Sequence, residues 1–94
     1  MARNQVIVTV GDAWTQLTNG DATAATWQVI NGDAWIAITA GATAPAPDAR
    51  GFLYEKGSGE ANRSLEDLTQ LASANRIWAR ACNSASAQVL IDHA

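Results

Sequence analysis

Alternation of apolar and polar residues predicts short β-strands along most of the chain. Residues 5–10 read QVIVTV, in which the valines share one face while Ile7 and Thr9 share the other. A similar period of two, with β-branched or aromatic residues, recurs in the stretches 23–30, 34–39, 51–56, 75–82 and 87–92. We therefore expect about six short strands.

One stretch has helical rather than strand spacing. Leu65, Leu68 and Leu71 share one face of a helix over residues 64–73, and Ser64 is a suitable N-cap. Between the strands, Asn31 and Gly32 form a two-residue signal for a type I′ hairpin, which would pair the strands 23–30 and 34–39. The predicted fold is all-β: a small β-sandwich or barrel of about six short strands with one short helix.

Length and composition indicate one domain with a thin core. The chain has 94 residues, many of its apolar residues are alanines, and large apolar side chains are few. A domain of this size buries only about 60–65% of its unfolded surface, which favours an oligomer or an assembly component. Residues 1–94 are thus a single β-rich domain, in which residues 1–4 are either a flexible arm that orders on a neighbour or a frayed terminus.

Charge and cysteine usage exclude several kinds of partner. The net charge is −3, and the five arginines and one lysine are scattered, so the clustered cations that a nucleic acid requires are missing from the sequence. No apolar run approaches the roughly 20 residues of a membrane span. The single cysteine, Cys82, excludes an intrachain disulfide and fits synthesis in a reducing cytoplasm.

The polar residues predict neither a metal site nor catalysis. An asparagine and an aspartate lie together in each of two predicted turns, at 19–21 and 31–33. Neither turn ends in the bidentate glutamate of a calcium loop. Tight turns explain these pairs better. His93 is the only histidine, and Cys82 has no basic partner nearby in the sequence, so we expect no enzyme, no catalytic residue, no metal and no cofactor.

Four tryptophans leave two interpretations open. Trp27 and Trp35 lie among apolar neighbours on strands expected to pair, which favours the core. Trp78 stands between Arg76 and Arg80, so it is either a core residue or an exposed interface aromatic on which the arginines stack. Exposed indoles also stack on sugar rings, which would make Trp14 or Trp78 part of a carbohydrate site.

Several stretches resemble small virion structural proteins of tailed bacteriophages and prophages. They are an AWTQLT opening at 13–18, the GATAP loop at 41–45, ANRIWARA at 74–81 and the ending QVLIDHA. The resemblance implies a capsid decoration or cement protein that binds the major capsid protein on the assembled head. It also implies a homo-oligomer, with a trimer favoured, on the capsid surface of a virion made in the bacterial cytoplasm.

The expected contact residues fall in three places. They are the arm, the proline-containing loop and the late strand: Arg3, Gln5, Pro45, Asp48, Arg50, Trp78 and Arg80. The alternative function is a carbohydrate-binding or accessory module of a phage tail, neck or fibre.

Overall fold

The fold consists of two antiparallel sheets. The computed structural model describes residues 4–18, 22–41, 43–46, 51–66, 73–82 and 85–93. These residues form eight strands: β1 (Asn4–Val10), β2 (Thr15–Gln16), β3 (Ala24–Asn31), β4 (Asp33–Thr39), β5 (Phe52–Tyr54), β6 (Gly59–Ser64), β7 (Arg76–Cys82) and β8 (Ala87–His93). Sheet A has the order β1-β8-β3-β6, and sheet B has the order β2-β7-β4-β5. The prediction of an all-β fold is confirmed, and the described strands form no closed barrel.

The two sheets are built from four bent ribbons. A ribbon here is a pair of consecutive strands, and each ribbon contributes one strand to each sheet. The four ribbons are β1–β2, β3–β4, β5–β6 and β7–β8. Both sheets have their ribbons in the same lateral order, so each ribbon passes from one sheet to the other between its two strands. Apolar side chains on the inner faces of both sheets are thereby enclosed between them.

The predicted hairpin at Asn31-Gly32 is wrong. β3 pairs with β6 and β8, whereas β4 pairs with β5 and β7, so the two strands lie in different sheets. Gly32 has the positive φ that the sequence signal requires, at 71°. Asn31, however, still belongs to β3, and one residue cannot form a two-residue turn; Gly32 is the bend of the ribbon instead.

Strand β6 was absent from the prediction. Its sequence, GEANRS, contains no β-branched or large apolar residue, so it lacks the composition typical of a strand. The strand forms because it pairs with β3, with Gly59 opposite Gln28 and Ser64 opposite Ala24. Ser64 therefore ends a strand, a helical turn starts at 65–66, and most of the predicted helix lies at 67–72, outside the described residues.

The core contains the alternate residues that the strand pattern predicted. Val29, Ile77, Val89 and Ile91 are fully buried, and Trp27 is 2% exposed. Among the described residues, the core cluster combines six alanines with nine larger apolar side chains.

Two further expectations are changed by the structure. Trp35 is only partly buried, on the outer face of sheet B opposite Arg80, so its assignment to the core is wrong. Asn4 already belongs to β1, and residues 1–3 of the predicted arm lie outside the described residues.

Candidate functional site

Trp14 connects three segments on the outer side of sheet B. Its indole Nε1 donates a hydrogen bond to the Ala46 carbonyl at 3.1 Å, which ties the proline-containing loop to the link between β1 and β2. The Arg80 guanidinium lies 5.1 Å from the centroid of the Trp14 ring, and this cation–π contact holds β7 to the same indole. Trp14 therefore fixes the loop against the sheet.

An open groove runs beside this indole. It has a volume of about 610 Å³ and lies between the β1–β2 link and the loop, lined by Gly11, Asp12, Ala13, Trp14, Thr15, Ala44 and Pro45. An aromatic ring beside one carboxylate and one hydroxyl suits a sugar ring or an extended peptide. The indole N–H already has its acceptor in Ala46, so it is not available to a ligand in this arrangement.

Trp78 is buried, at 7% exposure, so of the two interpretations left open by the sequence the structure supports the core residue and not the exposed contact residue. Its Nε1 donates to the Thr39 hydroxyl at 2.8 Å, and that hydroxyl donates to the Gly41 carbonyl at 3.0 Å. Asn75 also contacts Gly41, since its side-chain oxygen accepts a hydrogen bond from the Gly41 amide at 2.8 Å. The expected stacking on Trp78 is also corrected, because the Arg80 guanidinium lies over Trp14.

The structure brings together two of the seven predicted contact residues. Pro45 lines the groove, and Arg80 lies against the Trp14 ring that lines it too. Trp78 is in the same sheet but inside the molecule. Gln5 is in β1 of sheet A, and its side chain is not described; Arg3, Asp48 and Arg50 lie outside the described residues.

Three exposed apolar side chains were not among the predicted contact residues. Ile7 in β1 is 54% exposed, and Phe52 and Leu53 in β5 are 68% and 47% exposed. Both strands are sheet edges. A sequence signal existed for Ile7, since it shares a strand face with Thr9 and not with the core valines.

A cluster of polar side chains joins β5 and β6. The Tyr54 hydroxyl donates to Glu60 Oε2 at 3.2 Å, and Glu60 Oε1 lies 3.3 Å from Arg63 Nη1. The Tyr54 ring packs edge-on against Trp27, with 5.6 Å between centroids. Burial first, then the charge of Glu60 and its hydrogen bond, raise the pKa of Tyr54 to about 12, and Arg63 opposes the shift.

This shift gives a pH prediction. The pKa of Tyr54 is higher in the folded protein than the ordinary value of 10.0, so its contribution to stability is present below pH 10 and is lost as pH rises through about 12. Ultraviolet titration of tyrosinate reports this residue alone, because the chain has one tyrosine. Glu60→Gln is expected to lower the pKa part of the way towards 10, since burial remains.

The matched control for this titration is Glu55→Gln. Glu55 is an exposed carboxylate next to Tyr54 in the sequence, and its replacement removes the same charge. An equal pKa change in the two variants would contradict a specific contact between Tyr54 and Glu60.

The remaining candidates for chemistry have structural surroundings. Asp33 Oδ1 accepts a hydrogen bond from the Lys56 amide at 3.1 Å, and the Cys82 side chain is buried. Within the described ranges, no three His, Cys, Asp or Glu side chains form a group that could hold a metal ion. The same ranges contain no helix with the length and hydropathy of a membrane span.

Comparison of the chain with protein-family models, curated proteins and solved structures gives no match.

Proposed function

We propose that this protein is a structural component of a tailed-phage particle, which decorates the assembled head and stabilises it. The observation that carries the proposal is the position of the exposed apolar side chains. Ile7 lies on an edge strand of sheet A, and Phe52 and Leu53 lie on an edge strand of sheet B. Apolar side chains at sheet edges suit contact with flat neighbouring surfaces, whereas small-molecule sites are concave.

The proposed partners are the major capsid protein and further copies of this chain. A domain of only 94 residues gains stability when an assembly buries more apolar surface, because binding to the folded state alone shifts the folding equilibrium. Weak contacts repeated over a shell add up through avidity. The net charge of −3 and the sequence motifs also favour a place on the capsid surface, away from the packaged genome.

The test uses particles from the phage or prophage that encodes the chain. Heads made without this protein are expected to be intact but to lack regular surface density, and adding the purified protein is expected to restore that density. A variant with both Phe52→Ser and Leu53→Ser is expected to bind such heads at least about tenfold more weakly, because it lacks two exposed apolar anchors.

Glu55→Ser is the matched control for head binding. It changes an exposed residue just after β5 and is expected to bind normally. Particles that lose their tail or neck without this protein would overturn the placement on the head. Equal binding by the double variant and the control would overturn the role of β5.

The groove beside Trp14 favours a second candidate, a carbohydrate-binding module of a tail, neck or fibre. Trp14, Asp12 and Thr15 together provide a stacking surface, a carboxylate and a hydroxyl. Saturable quenching of tryptophan fluorescence by a sugar, abolished by Trp14→Ala and retained by Trp35→Ala, would favour this candidate over head decoration.

A further inference from the structure

Strand β1 differs from the other three sheet edges that the described strands form. β2 has two residues and β5 has three, so neither offers much backbone for pairing. β6 is longer, but it has Glu60 and Arg63 and a register shift against β3. Short length, charges and irregular register are the usual means by which proteins prevent edge-to-edge pairing.

None of these protective features is present in β1. It has seven residues, no charge and no proline, and it pairs with β8 over its whole length without a register shift. No described strand pairs with its outer edge. Ile7 stands at the middle of the strand and is 54% exposed.

We propose that a second copy of this chain pairs with β1 in antiparallel orientation, about a two-fold axis at Ile7. This inference names the partner surface for the self-association in the proposed function. Residue Ile7 then lies opposite Ile7 of the second copy, and Val8 lies opposite Val6. Odd-numbered residues then lie opposite odd-numbered residues, and even-numbered opposite even-numbered. The core-facing side chains of both copies therefore lie on the same side of a continuous eight-stranded sheet.

Side chains next to the axis support this register. Leu90 of β8 lies opposite Ile7 and is partly exposed. Pairing at Ile7 therefore places four aliphatic side chains in one row across the outer face, in the order Leu90, Ile7, Ile7 and Leu90. At the backbone level, residue 9 of one copy then lies opposite residue 5 of the other.

Charge favours the same arrangement. Each copy carries a net charge of −3, so the repulsion between two copies is smallest where they meet along an uncharged strip. Residues 4–10 form such a strip. Asp92 lies in β8, opposite Gln5 of β1. In the proposed register, the two paired β1 strands separate it from Asp92 of the other copy.

The size of the interface predicts a weak dimer. Seven residues extend over about 23 Å, and two such edges bury on the order of 1,000 Å² in total, at the lower limit of specific interfaces. A dissociation constant on the order of 10–100 µM is therefore expected in solution. This geometry yields a dimer, whereas the sequence resemblance favours a trimer.

Sedimentation velocity of the intact chain over a range of concentrations tests the proposal. A monomer–dimer equilibrium is expected, and Ile7→Lys is expected to weaken it by roughly tenfold or more, because two lysines meet at the axis. Gln28→Lys is the control, because it adds the same charge to an exposed position in β3 of the same sheet, two strands away from β1. It should leave the monomer–dimer equilibrium unchanged. Circular dichroism establishes that both variants are folded.

Disulfide trapping tests the register. Ile7→Cys is expected to form an intermolecular disulfide under mild oxidation, because residues directly opposite in a sheet have Cβ atoms about 4.5–5.5 Å apart. Gln28→Cys should not form one, and Cys82 is buried in both variants. A chain that stays monomeric, forms a trimer, or dimerises without the Ile7→Cys disulfide would overturn the proposal. A dimer that does not bind phage heads would leave this inference standing and overturn the proposed function.

Discussion

Gly59→Ala is expected to destabilise the protein by roughly 3 kcal/mol or more, which is a large part of the stability of a domain this small. A Cβ atom at residue 59 would overlap the carbonyl oxygen of Trp27 and would lie 2.8 Å from Gln28 Cα. Both neighbours are backbone atoms of β3, so no side-chain rotation relieves the contact. The strands β3 and β6 would have to separate, which breaks their pairing at Gly59 and Gln28.

Urea denaturation followed by circular dichroism measures this effect, with Gly11→Ala as the matched control. A Cβ atom at residue 11 would meet its nearest neighbour, the Ala85 carbonyl oxygen, at 3.9 Å, which is ordinary contact. The control is expected to change the free energy of unfolding by no more than about 0.5 kcal/mol. Equal stability of the two variants would show that β6 does not lie against β3 at this position.

Trp27→Ala is expected to lower the free energy of unfolding by about 3–5 kcal/mol. Trp27 is 2% exposed and lies between the sheets, where its ring meets Tyr54. The other core residues include many alanines, which cannot move to fill the space that the indole leaves. A cavity would therefore remain, and its cost adds to the lost burial of the ring.

Trp27→Phe is the informative companion to this variant. Trp27 Nε1 is buried without a hydrogen-bond partner, and phenylalanine removes this unsatisfied N–H while keeping an aromatic ring against Tyr54. Its cost is expected to be less than half that of Trp27→Ala. Equal losses for the two variants in denaturant titrations would mean that the Nε1 atom does have a partner in solution.

The local pattern was sufficient to predict strands but not their pairing. The alternation in β3 correctly placed Trp27 and Val29 on the core face, because the two faces of a strand differ in solvent exposure. The Asn31-Gly32 signal correctly indicated a positive φ at Gly32. However, β3 pairs with β6 and β8, and β4 pairs with β5 and β7, all of which come later in the chain. No short-range signal contains that information.

The candidate site was predictable only in part, for the same reason. Pro45 and Arg80 were expected in contacts, but the ring that joins them, Trp14, is distant from both in the sequence. Trp78 has two arginines beside it in the strand, which left both a core position and an exposed position open. Its burial depends on the Thr39 hydroxyl, whose approach is set by the pairing of β4 with β7.

The four bent ribbons have a mechanical consequence. Each ribbon supplies a strand to both sheets, so the strands of one sheet are covalently continuous with those of the other. We therefore expect the two sheets to unfold together in one cooperative transition. In the proposed role on a phage head, such a subunit is expected to resist stretching as a whole and not strand by strand.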